Sequence, residues 1–279
     1  MADDDSLIRA LTFQATACAA MGSPFSGALL GAAAADVASG GPSRGLFAPW
    51  AGAKARALVA DAVPLRLLGA LHDLALGEEA PALTDAYPSA ERPGDPAPAW
   101  TAALEAMADR KTSLAAFMAH EPQTNEVRRS ACLLGGFLRI ADRTALPLRC
   151  FELGASAGLN QIWDRYGYTL AAAGRWGDAG APVVIDTEWR GPPPALEARV
   201  SIVERAACDR KPIDLSDPKA RRRLRAYVWP DQFDRLQRLD DAIAAARAAG
   251  VRVEAEDAVT WAARRGAPRE GFTTVLFHS

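Results

Sequence analysis

From Ser6 to about Gly77 the apolar positions recur with helical spacing, broken only by short clusters of glycine and proline. LIRALTFQATACAAM predicts a first helix. SPFSGALLGAAAADVAS predicts a second, with Ser23 as N-cap and Pro24 in the first turn, stopped by Gly40 and Gly41. Beyond a loop through GPSRGLFAPWAG, the stretches AKARALVADAV and PLRLLGALHDLALG continue the pattern, with Leu65, Leu68, Leu71, Leu74 and Leu76 roughly along one face. Residues 78–98 are rich in proline, glycine and acid and predict a long surface loop, either a lid or a connector. Two further helices are predicted at about 98–119 and 123–143, the second opening on the polar cluster Gln123, Thr124, Asn125 and Glu126, which can cap a helix.

The pattern changes at Leu146. LPLRCFELGASAGLNQIW reads as a buried strand (Leu148, Cys150, Phe151, Leu153), a turn of small residues from Gly154 to Gly158, and a helix from near Leu159. Such a turn lets a ligand approach the backbone closely. The N–H groups and positive dipole end of the helix would then face a carboxylate or nucleotide. Further along, residues 168–190 predict an inserted hairpin, RVSIVERAACD a second parallel strand ending at Asp209, VRVEAED a third, and TTVLFHS a fourth. Asp231 is placed to cap the helix that runs to Ala249, and the basic run PKARRRLRAY reads as a solvated helix face. The predicted organisation is an all-helical region over 1–145 followed by an α/β domain over 146–279.

Two chemistries could use the turn. Glu152, two residues before Gly154, gives an acidic-x-Gly-x-x-x-Gly nucleotide-type loop. Gly154-Ala155-Ser156-Ala157-Gly158 also satisfies G-x-S-x-G, the strand-to-helix elbow of serine hydrolases, for which Asp257 and His278 would complete the order Ser, Asp, His. The context favours the loop, because the sequence upstream of residue 146 is helix-like and supplies no earlier strands for an oxyanion loop.

FELGASAGLN resembles the first motif of class I S-adenosylmethionine-dependent methyltransferases, commonly acidic-x-Gly-x-Gly-x-Gly, with Ser156 standing where the middle glycine is usual. QTNEVRR (123–129), ELGASAGLN (152–160), WDRYGY (163–168), VWPDQ (228–232) and the terminal VLFHS together resemble a bacterial family of unknown function. The resemblance implies a Rossmann-like, methyltransferase-like parallel sheet and S-adenosylmethionine as cofactor, held by Glu152, Gly154, Ser156, Gly158 and Asn160. Asp209 would bind the ribose hydroxyls although it lies 51 residues after Gly158 (209 − 158), with Asp214 and Glu204 as alternatives, and Asp257 would sit by the adenine. His278, at the end of the fourth strand, would lie near the transferable methyl group, able to orient a substrate or take a proton. Asn125, Glu126 and Trp229 are candidates for contacting the substrate. A ligand-binding or interaction protein without catalysis on the same fold is the alternative from another class.

A class I methyltransferase sheet normally has seven strands, whereas only four are predicted here. The expectation is a truncated form of a longer domain, or a homo-oligomer whose second copy covers the open edge; a stable, soluble monomer would count against both. The chain of 279 residues carries a formal charge of −2, which gives no overall pull towards nucleic acid. An acidic start (MADDDSLIRA) and the lack of a long uncharged apolar run predict a cytoplasmic protein with no membrane span and a small-molecule partner. Cys18, Cys132, Cys150 and Cys208 are scattered singly, and His72, His120 and His278 lie far apart, so neither disulfides nor a bound metal is predicted.

Overall fold

The computed structural model describes residues 2–279. The chain divides into a helical unit, residues 1–124 with 222–236, and an α/β unit, residues 125–221 with 237–279. The boundary thus falls about twenty residues before the predicted one, because the helix preceding the first strand belongs with the sheet.

In the helical unit α1 (Ala2–Ala20) packs along α2 (Pro24–Ala38), and the crossing is close because Gly27 has no side chain. A Cβ there would lie 2.8 Å from the carbonyl oxygen of Ala15. A 3-10 helix, Pro42–Trp50, replaces the predicted loop, and α3 (Ala55–Ala60) and α4 (Val63–Leu76) follow. The predicted long loop contains α5 (Pro81–Ala86), while the helix predicted at 98–119 is two, α6 (Pro96–Asp109) and α7 (Lys111–Met118), meeting at Arg110.

Two polar groups organise this core. His72 is buried, with Nδ1 3.2 Å from the Ala226 carbonyl oxygen and its ring stacked on Tyr87. Ser23 makes no capping bond of its own at α2. Instead Asp231 accepts from the Ser23 hydroxyl and from the Phe25 N–H at 3.0 Å, so its carboxylate caps α2 across 206 residues of sequence rather than the helix that follows it in the chain. Local spacing could not reveal that contact.

In the α/β unit α8 (Arg129–Thr144) precedes β1 (Leu148–Leu153). Four parallel strands stand in the order β6 (Glu254–Ala255), β5 (Ile202–Asp209), β1, β7 (Thr273–Phe277). The chain therefore builds outward from β1 to one side and then returns to its other side, which places a topological switch point between β1 and β7. Side chains alternate across β1. Phe151 packs with Cys208 and Trp261 of α11 (Ala258–Arg265) on one face. On the other, the Phe137 ring of α8 lies 4.2 Å from Trp163 and meets Phe277 edge-on at 5.1 Å.

The inserted segment forms a second small sheet. β2 (Gly167–Thr169) pairs antiparallel with β3 (Arg175–Trp176) and parallel with β4 (Val184–Asp186). α9 (Pro218–Ala226) and α10 (Phe233–Ala248) each cross the boundary between units. Among the described residues no helix is long and apolar enough to cross a membrane.

Candidate functional site

In open sheets ligands bind beyond the carboxyl ends of the strands at the switch point. Here that end carries Glu152 and the Gly154–Gly158 turn after β1, Asp209 closing β5, Asp257 after β6, and His278 and Ser279 after β7.

The turn is built on three left-handed residues, Gly154 at φ +65°, Ser156 at +54° and Gly158 at +74°. Glycine adopts this conformation without penalty, whereas a residue with a Cβ is strained by about 1–2 kcal/mol. Ser156 therefore occupies the position where the Gly-x-Gly-x-Gly pattern has its middle glycine, in the backbone conformation that makes glycine the usual choice. The two outer glycines serve different ends. A Cβ on Gly158 would lie 2.4 Å from Gln161 Nε2 and within 3 Å of Val251 and Val253, while one on Gly154 would meet nothing within 4 Å. Gly158 closes the turn onto its support, and Gly154 leaves open space beside the strand end.

Side chains brace the turn from outside. Asp209 Oδ2 accepts from the Ser156 N–H at 2.8 Å and its Oδ1 from the Lys211 N–H at 2.8 Å. Asn125 Oδ1 accepts from the Leu159 N–H at 2.9 Å, and the Ala155 and Gly158 N–H groups bond to the carbonyls of Cys208 and Ala155. The segment after the turn is a seven-residue 3-10 helix, Leu159–Arg165, rather than the predicted α-helix. Of the N–H groups expected to face an anion, those of Ala155, Ser156, Gly158 and Leu159 are instead taken by carboxylate, amide and carbonyl oxygens of the protein.

Three side-chain oxygens buried at the turn have no partner. Glu152 is fully buried; its Oε1 accepts from the Ser279 hydroxyl at 3.2 Å, and its Oε2 has no hydrogen-bond partner among the described residues. Asn160, also fully buried, donates from Nδ2 to Ser279 Oγ at 3.0 Å and to the Glu126 carbonyl at 3.5 Å, leaving Oδ1 without a partner. Ser156 Oγ is a third buried oxygen without one. Burial pushes the Glu152 carboxyl from its ordinary 4.5 up to about 8; the Asp209 charge adds to this and the Ser279 hydrogen bond opposes it.

Thus Glu152, Gly154, Ser156, Gly158, Asn160, Asp209, Asn125 and Glu126 converge on one turn. The alternatives to Asp209 have other partners, since Glu204 is paired with Arg149 at 2.7 Å and exposed Asp214 turns back onto the Ser216 N–H. Asp257 caps α11, its Oδ1 accepting from the Val259 and Thr260 N–H groups at 2.9 and 3.3 Å. His278 is exposed just past β7. Among the described residues no hydrogen bond joins Ser156, Asp257 and His278. Trp229 lies in the helical unit, half-buried against that unit's own core. Ser279, which bridges Glu152 and Asn160, lies in the terminal VLFHS motif but is not among the expected site residues. No group of three or more His, Cys, Asp or Glu side chains among the described residues is placed to hold a metal ion.

No curated protein and no solved structure matches the chain. One family model, described as an uncharacterized protein conserved in bacteria (DUF2332), matches residues 9–279. The chain belongs to this bacterial family.

Proposed function

We propose that the α/β unit is a class I methyltransferase-like, Rossmann-like domain that binds S-adenosylmethionine at the Gly154–Gly158 turn and transfers its methyl group to an acceptor. The observation that carries this reading is the chemical character of the turn. A dinucleotide or other phosphate ligand needs donors, and here the Ala155, Ser156, Gly158 and Leu159 N–H groups are engaged by the protein. The buried unpartnered atoms at Glu152, Asn160 and Ser156 are oxygens, which suit ammonium, hydroxyl and sulfonium groups. The strand order, with β5 and β6 to one side of β1 and β7 to the other, agrees with the 3-2-1-4 order of doubly wound folds and supports this reading.

In this reading Glu152, Ser156 and Asn160 hold the amino-acid end of the cofactor, and Gly154 permits its close approach. Asp209 braces the turn through Ser156 and keeps further lone pairs for the ribose hydroxyls. Asp257 serves the adenine side chiefly by fixing the start of α11. When bound, the cofactor supplies an electrophilic methyl group. The protein contributes position: Asn125 holds Leu159, Glu126 holds Asn160, and His278 past β7 is available to orient an acceptor or accept its proton.

The test is calorimetric titration of the folded chain with S-adenosylmethionine and S-adenosylhomocysteine, repeated on Asp209→Ala. Micromolar binding that Asp209→Ala abolishes while the circular dichroism spectrum is retained is expected. Absence of binding to the folded chain would overturn the reading and favour a protein that keeps the fold without the cofactor.

A further inference from the structure

The Glu152 carboxyl is an unusual group to find inside a central parallel strand. Its strand neighbours across the ladder are Ala207 and Phe277, neither of which offers it a partner. The groups that do face it are the Ser279 hydroxyl beyond β7, the Asp209 carboxylate at the end of β5, and the Tyr166 phenol after the 3-10 helix; Tyr166 is itself committed as a donor to the Leu159 carbonyl at 2.6 Å. No cation among the described residues is paired with Glu152. With a second carboxylate near and no positive charge, burial favours the protonated acid. Two buried oxygens, Glu152 Oε2 and Asn160 Oδ1, are meanwhile left without partners, while the Ser279 hydroxyl joins the same two side chains through Glu152 Oε1 and Asn160 Nδ2.

We propose that Glu152 is a proton-coupled receptor for the primary ammonium group of the ligand's amino-acid moiety, giving up its proton as that group binds. This deepens the cofactor reading and rests on it. The exchange balances: the neutral acid and the ligand ammonium become a carboxylate–ammonium pair, and one proton leaves to solvent. The ligand ammonium supplies the positive charge the pocket lacks and donates to Glu152 Oε2 and Asn160 Oδ1. Affinity then rises with pH while Glu152 in the free protein is still protonated, by roughly tenfold per pH unit at most. A carboxyl titrating at about 8 would release nearly one proton per ligand bound at pH 7.

The test is calorimetric titration of the whole chain with S-adenosylhomocysteine at pH 6.0, 7.0 and 8.0, in phosphate and in Tris, whose different ionisation heats give the number of protons released. 5′-Methylthioadenosine, which has the nucleoside and sulfur but no amino-acid moiety, is the comparison ligand. The expected result is close to one proton released per S-adenosylhomocysteine at pH 7.0, with affinity rising roughly tenfold from pH 6.0 to 7.0, and no proton released by 5′-methylthioadenosine. Glu152→Gln should remove both the release and the pH dependence. S-Adenosylhomocysteine binding with no proton release and a flat pH profile would overturn the inference and leave the cofactor reading standing. Failure of both ligands to bind at every pH would overturn the reading and the inference together. The wild-type proton count decides the matter even if Glu152→Gln does not fold.

Discussion

Gly154 and Gly158 share a left-handed backbone, at φ +65° and +74°, yet alanine should act on them in different ways. At Gly158 the new Cβ would stand 2.4 Å from Gln161 Nε2, 2.8 Å from Val251 Cγ1 and 2.9 Å from Val253 Cγ2. Gln161 is held by its bond to the Arg252 carbonyl, and the valines are β-branched and stiff, so none of the three can yield cheaply. Backbone strain of about 1–2 kcal/mol adds to overpacking of about 1–3 kcal/mol, and Gly158→Ala should destabilise the α/β unit by about 2–5 kcal/mol. At Gly154 the Cβ meets nothing within 4 Å, so only the strain remains, about 1–2 kcal/mol. That methyl group would, however, occupy the open space beside the end of β1 where the proposed cofactor would approach. Urea denaturation followed by the fluorescence of buried Trp163 and Trp261, beside titration with S-adenosylhomocysteine, separates the two effects. Gly154→Ala should stay folded and lose at least about tenfold in affinity, about 1.4 kcal/mol. Equal destabilisation by the two substitutions would refute the packing argument, and wild-type affinity in Gly154→Ala would refute the placement of the ligand.

Ser156→Gly should relieve left-handed strain and stabilise the α/β unit by up to about 1 kcal/mol, offset in part by the flexibility glycine adds to the unfolded chain; a clear loss of stability in urea would contradict this. Asp257→Ala removes the cap of α11 and should cost about 1 kcal/mol in the same assay. The two units should respond to pH in opposite senses. Burial holds the His72 imidazole down at about 4 against an ordinary 6.5, so below pH 6.5 the unfolded chain binds a proton that the folded one refuses. Helical-unit stability should fall by about 3 kcal/mol between pH 6.5 and 4, a dependence absent from His72→Phe. For Glu152 the folded state keeps the proton and the unfolded chain loses it, so this group's contribution is full below pH 4.5 and declines as pH rises to about 8, by up to roughly 4–5 kcal/mol; Glu152→Gln should flatten that decline. A stability profile without either slope would contradict the burial account of both groups.

The features legible in the sequence are those set by short-range pattern. The break at Leu146, the small residues of the turn and the four strands follow from residue character over five to ten positions, and the structure has each of them. The second parallel strand does end at Asp209, and the second small sheet lies within the long separation from Gly158. The missing information is long-range. Asp231 reads locally as a cap for the helix after it and is drawn instead to α2, while Trp229 belongs to the helical unit rather than to the turn. The helix expected after Gly158 shortens to a 3-10 segment because Asn125, 34 residues upstream, takes the Leu159 N–H and Tyr166 takes its carbonyl. Glu152 is the most informative case: a charge in a buried strand reads as a conflict in the sequence, and the structure gives it one hydroxyl, a neighbouring carboxylate and an open valence.

The proposed nucleoside cofactor on the Gly154–Gly158 turn would register in the backbone amide chemical shifts of the nitrogen-15-labelled chain during titration with S-adenosylhomocysteine. Saturable shifts are expected, centred on Gly154, Ala155, Ser156, Ala157, Gly158 and Asn160, together with Lys211, whose amide shares Asp209 with the turn. Shifts confined to other parts of the chain, or none at millimolar ligand, would contradict the proposal.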